Sequence, residues 1–145
     1  MVFFTHTPSE TESVGGTLAR IIEKNGLSRA FIAMRGEMGV GKTAFVRGFA
    51  GNFGIRGVKS PTYTIVNEYR SASGVRIFHF DLYRIEDYDD LESIGFDDYL
   101  RAEGYSIAEW SVRTPEEIPD DAIRVAIKRA GSADEREICI EGILL

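Results

Sequence analysis

A three-layer α/β fold with a mixed central sheet is the architecture this sequence predicts, on three observations. Residues 30–35 (Ala, Phe, Ile, Ala, Met, Arg) form a short apolar run of the kind a strand covered on both faces carries. A glycine-rich turn follows it and opens into a segment of about 42–52 that sets Phe45, Val46, Phe49 and Phe53 on one side. Strand-like segments then recur around an acidic helical stretch, which calls for a layered sheet and not a helical bundle.

Each element has its own signal. Ser9 with Glu12 three residues on fits the capping-box pattern, and Val14, Leu18, Ile21 and Ile22 continue it at helical spacing. Asn25-Gly26 stops that helix. After the second helix, Ser60-Pro61 breaks the chain and residues 63–69 read as a strand. Ser71 to Gly74 supplies a turn, and residues 75–83 read as the antiparallel return. An acidic helix around 87–94 leads to Gly104, and 105–110 is a further buried strand. Residues 123–129 and 135–140, separated by Gly131-Ser132, form a final hairpin. No repeat or low-complexity linker interrupts the series, so one domain over 1–145 is expected.

With 145 residues, 43% hydrophobic and 28% charged, the chain can bury a core without disulfides. The single Cys139 cannot form an internal bridge, as suits a reducing cytosol, and reads as a packed strand residue. No leader is visible and no apolar run approaches roughly 18 residues, so a cytoplasmic protein without a membrane span is expected. Seventeen basic against 23 acidic residues give a net charge of −6, a field that repels nucleic-acid backbones. Between Glu86 and Asp98 there are seven acids and no Lys or Arg, which reads as a solvated face or a dock for a basic partner.

Against that field stands one anion-binding motif. Gly36-Glu37-Met38-Gly39-Val40-Gly41-Lys42-Thr43 fits G-x-x-x-x-G-K-[ST], with a strand before it and a helix after it. Glycines let backbone N–H groups turn inward around a β-phosphate, and the helix that follows, from Lys42, Thr43 and Ala44 onward, adds its positive end. Lys42 places a point charge on the β- and γ-phosphates, and the Thr43 hydroxyl is a magnesium ligand. The fold expected is therefore P-loop NTPase-like, the bound nucleotide ATP and the metal Mg2+.

Such a loop needs an acid at the end of a nearby strand. Asp81, after Ile77-Phe78-His79-Phe80, and Glu109, after Tyr105-Ser106-Ile107-Ala108, both qualify, and sequence leaves open which touches the metal. His79 lies two residues from Asp81, on the same face of a strand, and reads as a structural histidine. In Ser60-Pro61-Thr62-Tyr63-Thr64, either Thr62 or Thr64 could offer a hydroxyl to the metal or the attacking water, where related NTPases place a γ-phosphate switch. Arg84 could stabilise the transferring phosphoryl group or pair with the acids after it.

Together these pieces resemble the TsaE (YjeE) family of bacterial ATPases required for threonylcarbamoyladenosine modification of tRNA. The matching stretches are GEMGVGKTAFVRGFA at 36–50, VKSPTYTIVNEY at 58–69, FHFDLYRIED at 78–87, LESIGFDDYL at 91–100 and IAEW at 107–110. The resemblance implies magnesium held by Thr43 and Glu109, Asp81 essential for turnover, and Ser60 to Thr64 as the switch. It also implies Trp110 against the site, with Thr11 and Arg136 toward the adenine region. Its partners would be the TsaD and TsaB proteins, which would carry the tRNA chemistry, in keeping with an acidic chain that touches tRNA only indirectly. Two other functions use the same loop. A small-molecule kinase would need an Arg-rich lid, whereas the 86–98 stretch is acidic; a GTPase would need an Asn-Lys-x-Asp sequence, which is absent.

Overall fold

In the computed structural model, which describes residues 1–62, 64–110 and 115–144, seven strands form one mixed sheet. In chain order the elements are β1 (Val2–Thr5), α1 (Pro8–Lys24), β2 (Arg29–Arg35), α2 (Lys42–Gly51), β3 (Val66–Arg70), β4 (Arg76–Asp81), α3 (Tyr88–Ser93), α4 (Phe96–Arg101), β5 (Gly104–Glu109), β6 (Ile123–Arg129) and β7 (Arg136–Glu141). The strand order is β1-β7-β6-β2-β5-β4-β3. β6, β2, β5 and β4 run parallel at the centre, and β3 and the β7–β1 pair add antiparallel edges.

Period-two alternation sorts the strand residues into two cores. On one face Ile32, Met34, Ile77, Ile107, Val125 and Ile138 pack against Leu18 and Ile22 of α1 and Phe45 and Phe49 of α2. On the other, Phe31, Ala33, Phe78, Phe80 and Ala108 pack with Leu91 of α3 and Phe96 of α4. Helices on both faces make the three layers that were expected. The two long helices cross without side chains between them: a Cβ at Gly15 would lie 2.0 Å from the Phe45 carbonyl oxygen, and one at Gly48 1.8 Å from that of Glu12. Among the described residues no helix is long and apolar enough to cross a membrane.

The first helix starts earlier than Ser9. Thr7 is the N-cap, its hydroxyl accepting from the Glu10 N–H, and Pro8 occupies the first turn. Ser9 lies inside the helix, where its carbonyl accepts from the Ser13 hydroxyl. Thr7→Ala should therefore cost about 1 kcal/mol in urea unfolding, while Ser9→Ala should stay within about 0.5 kcal/mol.

Other boundaries shift for local reasons. The strand expected over 63–69 begins at Val66, because Pro61 O accepts from the N–H groups of Thr64 and Ile65 and closes a turn; Tyr63 lies outside the described residues. Ile65 takes a left-handed φ of 70°, uncommon for a β-branched residue. The return strand ends at Asp81, whose carboxylate accepts from the Tyr83 N–H and turns the chain. Asp87 caps α3 and does not belong to it. β1 and α4 were not anticipated.

Candidate functional site

The glycine-rich octapeptide Gly36 to Thr43 links β2 to α2, with the strand before it and the helix after it that its sequence context called for. Gly41 is the N-cap of α2 at φ 118°, a conformation a side chain would strain. The last hairpin braces the loop at two points. The Arg136 guanidinium donates from Nε to the Val40 carbonyl at 2.7 Å, and from Nη1 to the carbonyls of Ala133 and Glu135. Arg129 pairs with the exposed Glu37 carboxylate at 2.8 Å. Met38 is exposed at the tip.

Lys42, the first residue of α2, is only 5% exposed. Its ammonium donates to the carbonyls of Gly36 at 2.5 Å and Glu37 at 3.4 Å, and lies 3.8 Å from the centroid of the Trp110 ring. Burial pushes the Lys42 ammonium below its ordinary range, and the Glu109 and Asp81 carboxylates push it back up. Both acids are thus close enough to act on the same cation. Trp110 reaches Lys42 because β5 stops at Glu109 and Trp110 turns with a left-handed φ of 62°. Tyr83 packs edge-on against the Trp110 ring, ring centroids 5.1 Å apart.

The carboxylates come together through strand register. Met34 of β2 pairs with Glu109 of β5, and Glu109 with Asp81 of β4, so both acids stand at the same end of adjacent parallel strands as the phosphate loop. Thr43 follows Lys42 in the first turn of α2 and is half-buried. The donors gathered here, a hydroxyl and two carboxylates, are hard oxygens of the type magnesium takes. His79, expected to be a structural histidine on the face of Asp81, is fully buried and its bond goes to Glu109, Nε2 to Oε2 at 2.5 Å. Nothing within one segment announces that bond, which spans 30 positions. The signal would have been the parallel pairing of H-x-D with A-E at matched strand ends.

On the far side of the loop, Thr11 is 2% exposed and its hydroxyl shares a hydrogen bond of 2.9 Å with that of Thr5. Thr11, Gly39, Val40, Gly41, Ala44 and Arg136 line a cavity of about 160 Å³ between α1, the loop and the final hairpin. The structure thus brings Thr11 and Arg136 to the loop from opposite ends of the sequence. Thr62 it does not: its hydroxyl pairs with that of Ser60 at 2.6 Å, and Thr64 bonds Asn67, both exposed. The connection of that turn to the site is through backbone, the Asp81 N–H donating to the Ile65 carbonyl at 2.7 Å. Cys139 is half-buried on β7. In the acidic stretch, Asp87 and Asp90 accept backbone N–H groups and Asp97 accepts from the Tyr88 hydroxyl.

The chain is similar to known proteins in sequence and in fold. A family model described as "Threonylcarbamoyl adenosine biosynthesis protein TsaE" matches residues 5–138. A Bacillus subtilis protein named tRNA threonylcarbamoyladenosine biosynthesis protein TsaE is 36% identical over 140 residues, 96% of this chain and 84% of the relative. A Haemophilus influenzae protein of the same name is 40% identical over 115 residues, 78% and 72% of the two chains. The crystal structure of Bacillus subtilis YdiB superposes with a TM-score of 0.76 at 32% identity, covering 95% of this chain and 82% of that one.

Proposed function

Since the chain belongs to the TsaE family, we propose that it is a magnesium-dependent ATPase acting in threonylcarbamoyladenosine modification of tRNA, with turnover gated by a partner complex. The observation that carries this reading is the Lys42 ammonium held over the phosphate loop within the field of both Glu109 and Asp81. A buried cation ringed by carbonyls and acids suits an incoming polyanion that arrives with its own counter-ion.

Glu37 through Ala44 would cradle the phosphates with their N–H groups, and Lys42 would leave its carbonyl partners for the β- and γ-phosphates. Thr43 and Glu109 would hold magnesium, which when bound neutralises phosphate charge and stabilises the transition state. Asp81, half-buried at the next strand end, would accept a hydrogen bond from the water that attacks the γ-phosphorus. The turn carrying Thr62 would report on the γ-phosphate through the Ile65–Asp81 backbone bond. Thr11 and Arg136, lining the cavity beside Gly41, would receive the nucleoside.

The named partners of this proposal are TsaD and TsaB, and tRNA is met only through them. Slow turnover is expected from the purified chain, with rate or nucleotide affinity changed on adding both proteins. Rapid hydrolysis alone, with neither quantity altered by the partners, would remove the gating. Asp81→Asn should lower kcat by about 100-fold or more while calorimetry finds magnesium–ATP affinity within about threefold of the parent. Loss of affinity in step with rate would assign Asp81 to binding instead.

A further inference from the structure

His79 is buried, polar and half satisfied. It lies on the α2 face of β4 beside Ile107, with no exposed surface, and its Nε2 meets Glu109 Oε2. Its Nδ1 is the one buried side-chain polar atom among the described residues that has no hydrogen-bond partner. That pattern fixes the direction of the bond. A carboxylate oxygen can only accept, so Nε2 carries the hydrogen and donates it to Glu109.

A residue serving only to fill the core would not be built this way. An unpartnered buried nitrogen costs about 1–3 kcal/mol that Leu or Phe would avoid. What the imidazole gives and an apolar side chain cannot is a donor on one specific oxygen of Glu109. The other oxygen, Oε1, takes no hydrogen bond from the described residues, and Glu109 keeps a small exposed surface, 5% of the residue. A lysine or arginine in place of His79 would also hold Oε2, but would cancel the negative charge a cation needs. An imidazole N–H fixes the carboxylate's orientation through one directed hydrogen bond.

We propose that His79 is a positioning residue for Glu109: its Nε2–H pins Oε2 and so presents Oε1 to the magnesium ion that accompanies ATP. The proposal rests on the ATPase reading above and deepens it. It is tested by calorimetric ATP titrations of the full chain, in EDTA and across a magnesium series, for the parent, His79→Gln and His79→Leu. Gln reaches with its amide nitrogen to about the place of Nε2 and keeps the donor; Leu keeps the volume and removes it.

In EDTA all three should bind ATP alike. With magnesium, H79L should lose about 10- to 100-fold of the metal-dependent gain, and H79Q should stay within about threefold of the parent. If H79L does not fold, His79→Asn replaces it, since its shorter amide cannot reach Oε2 and the same loss is expected. A full magnesium response in H79L, or in H79N where that replaces it, overturns the proposal alone, as does an H79Q no better than either. A parent chain that takes up no ATP in either condition overturns the ATPase reading, and this proposal with it.

Discussion

Lys42→Ala is expected to weaken magnesium–ATP binding by about 100-fold and to lower hydrolysis by about 1000-fold. The effect is large because the rest of the chain works against phosphate. The net charge is −6, and Glu109 and Asp81 stand side by side on paired strands, both acting on Lys42. Lys42 is the cation set among them, and its removal leaves the loop amides alone to offset two carboxylates. Calorimetry of ATP against the variant checks the first figure, and phosphate release the second. Parent-like affinity would mean that the nucleotide binds elsewhere.

The same substitution carries a sign test in stability. Burial holds the Lys42 pKa below its unfolded value of about 10.5, so between the two the unfolded chain carries more protons than the folded one. Stability therefore rises with pH in that window. In Lys42→Ala the contribution is gone, and urea unfolding followed from pH 8 to 10.5 should show a shallower rise than in the parent.

Gly48→Ala is the substitution expected to damage the fold most. A methyl there would stand 1.8 Å from the Glu12 carbonyl oxygen and 2.4 Å from its carbon, both backbone atoms that cannot rotate aside. The helices would have to separate, and Gly15 against Phe45 shows that they are in contact on both sides of the crossing. A loss of about 3 kcal/mol follows, or about 10 °C in Tm for a chain of this size. Differential scanning calorimetry reads it directly. Since α1 carries Thr11 to the cavity beside Gly41, nucleotide affinity should fall as well. A change within 1 °C would show that α1 slides without cost.

What could be read from the sequence follows the range of the forces involved. The glycine-rich turn, β2 and α2 were legible because consecutive residues specify them: an apolar run, glycines, then a 3.6-residue stripe. The final hairpin was legible from alternation. The cap of α1 was misplaced because Thr7…Glu10 and Ser9…Glu12 share one pattern; Pro8, which favours the first helical position, decides for Thr7. β1 exists because β7 lies beside it, a partner more than 130 positions away, and Val-Phe-Phe-Thr alone carries no period. α4 is only six residues and starts at a left-handed Gly95. The His79–Glu109 bond depends on the register of two strands that no local pattern sets. Of the candidate site, the strand ends and the turn that carry its residues were readable, and the pairing of His79 with Glu109 was not.

The strand order also dictates when, during synthesis, the molecule can become competent. Lys42 leaves the ribosome early, but β2 has no neighbour until β5 emerges, and none on its other side until β6 does. The two arginines that brace the loop, on Glu37 and on Val40, arrive later still, at 129 and 136. A translation product halted near residue 110 thus carries the whole glycine-rich signature without β6 or either arginine. Both clamps come from the last hairpin, so the glycine-rich loop is fully braced only in a chain translated through it.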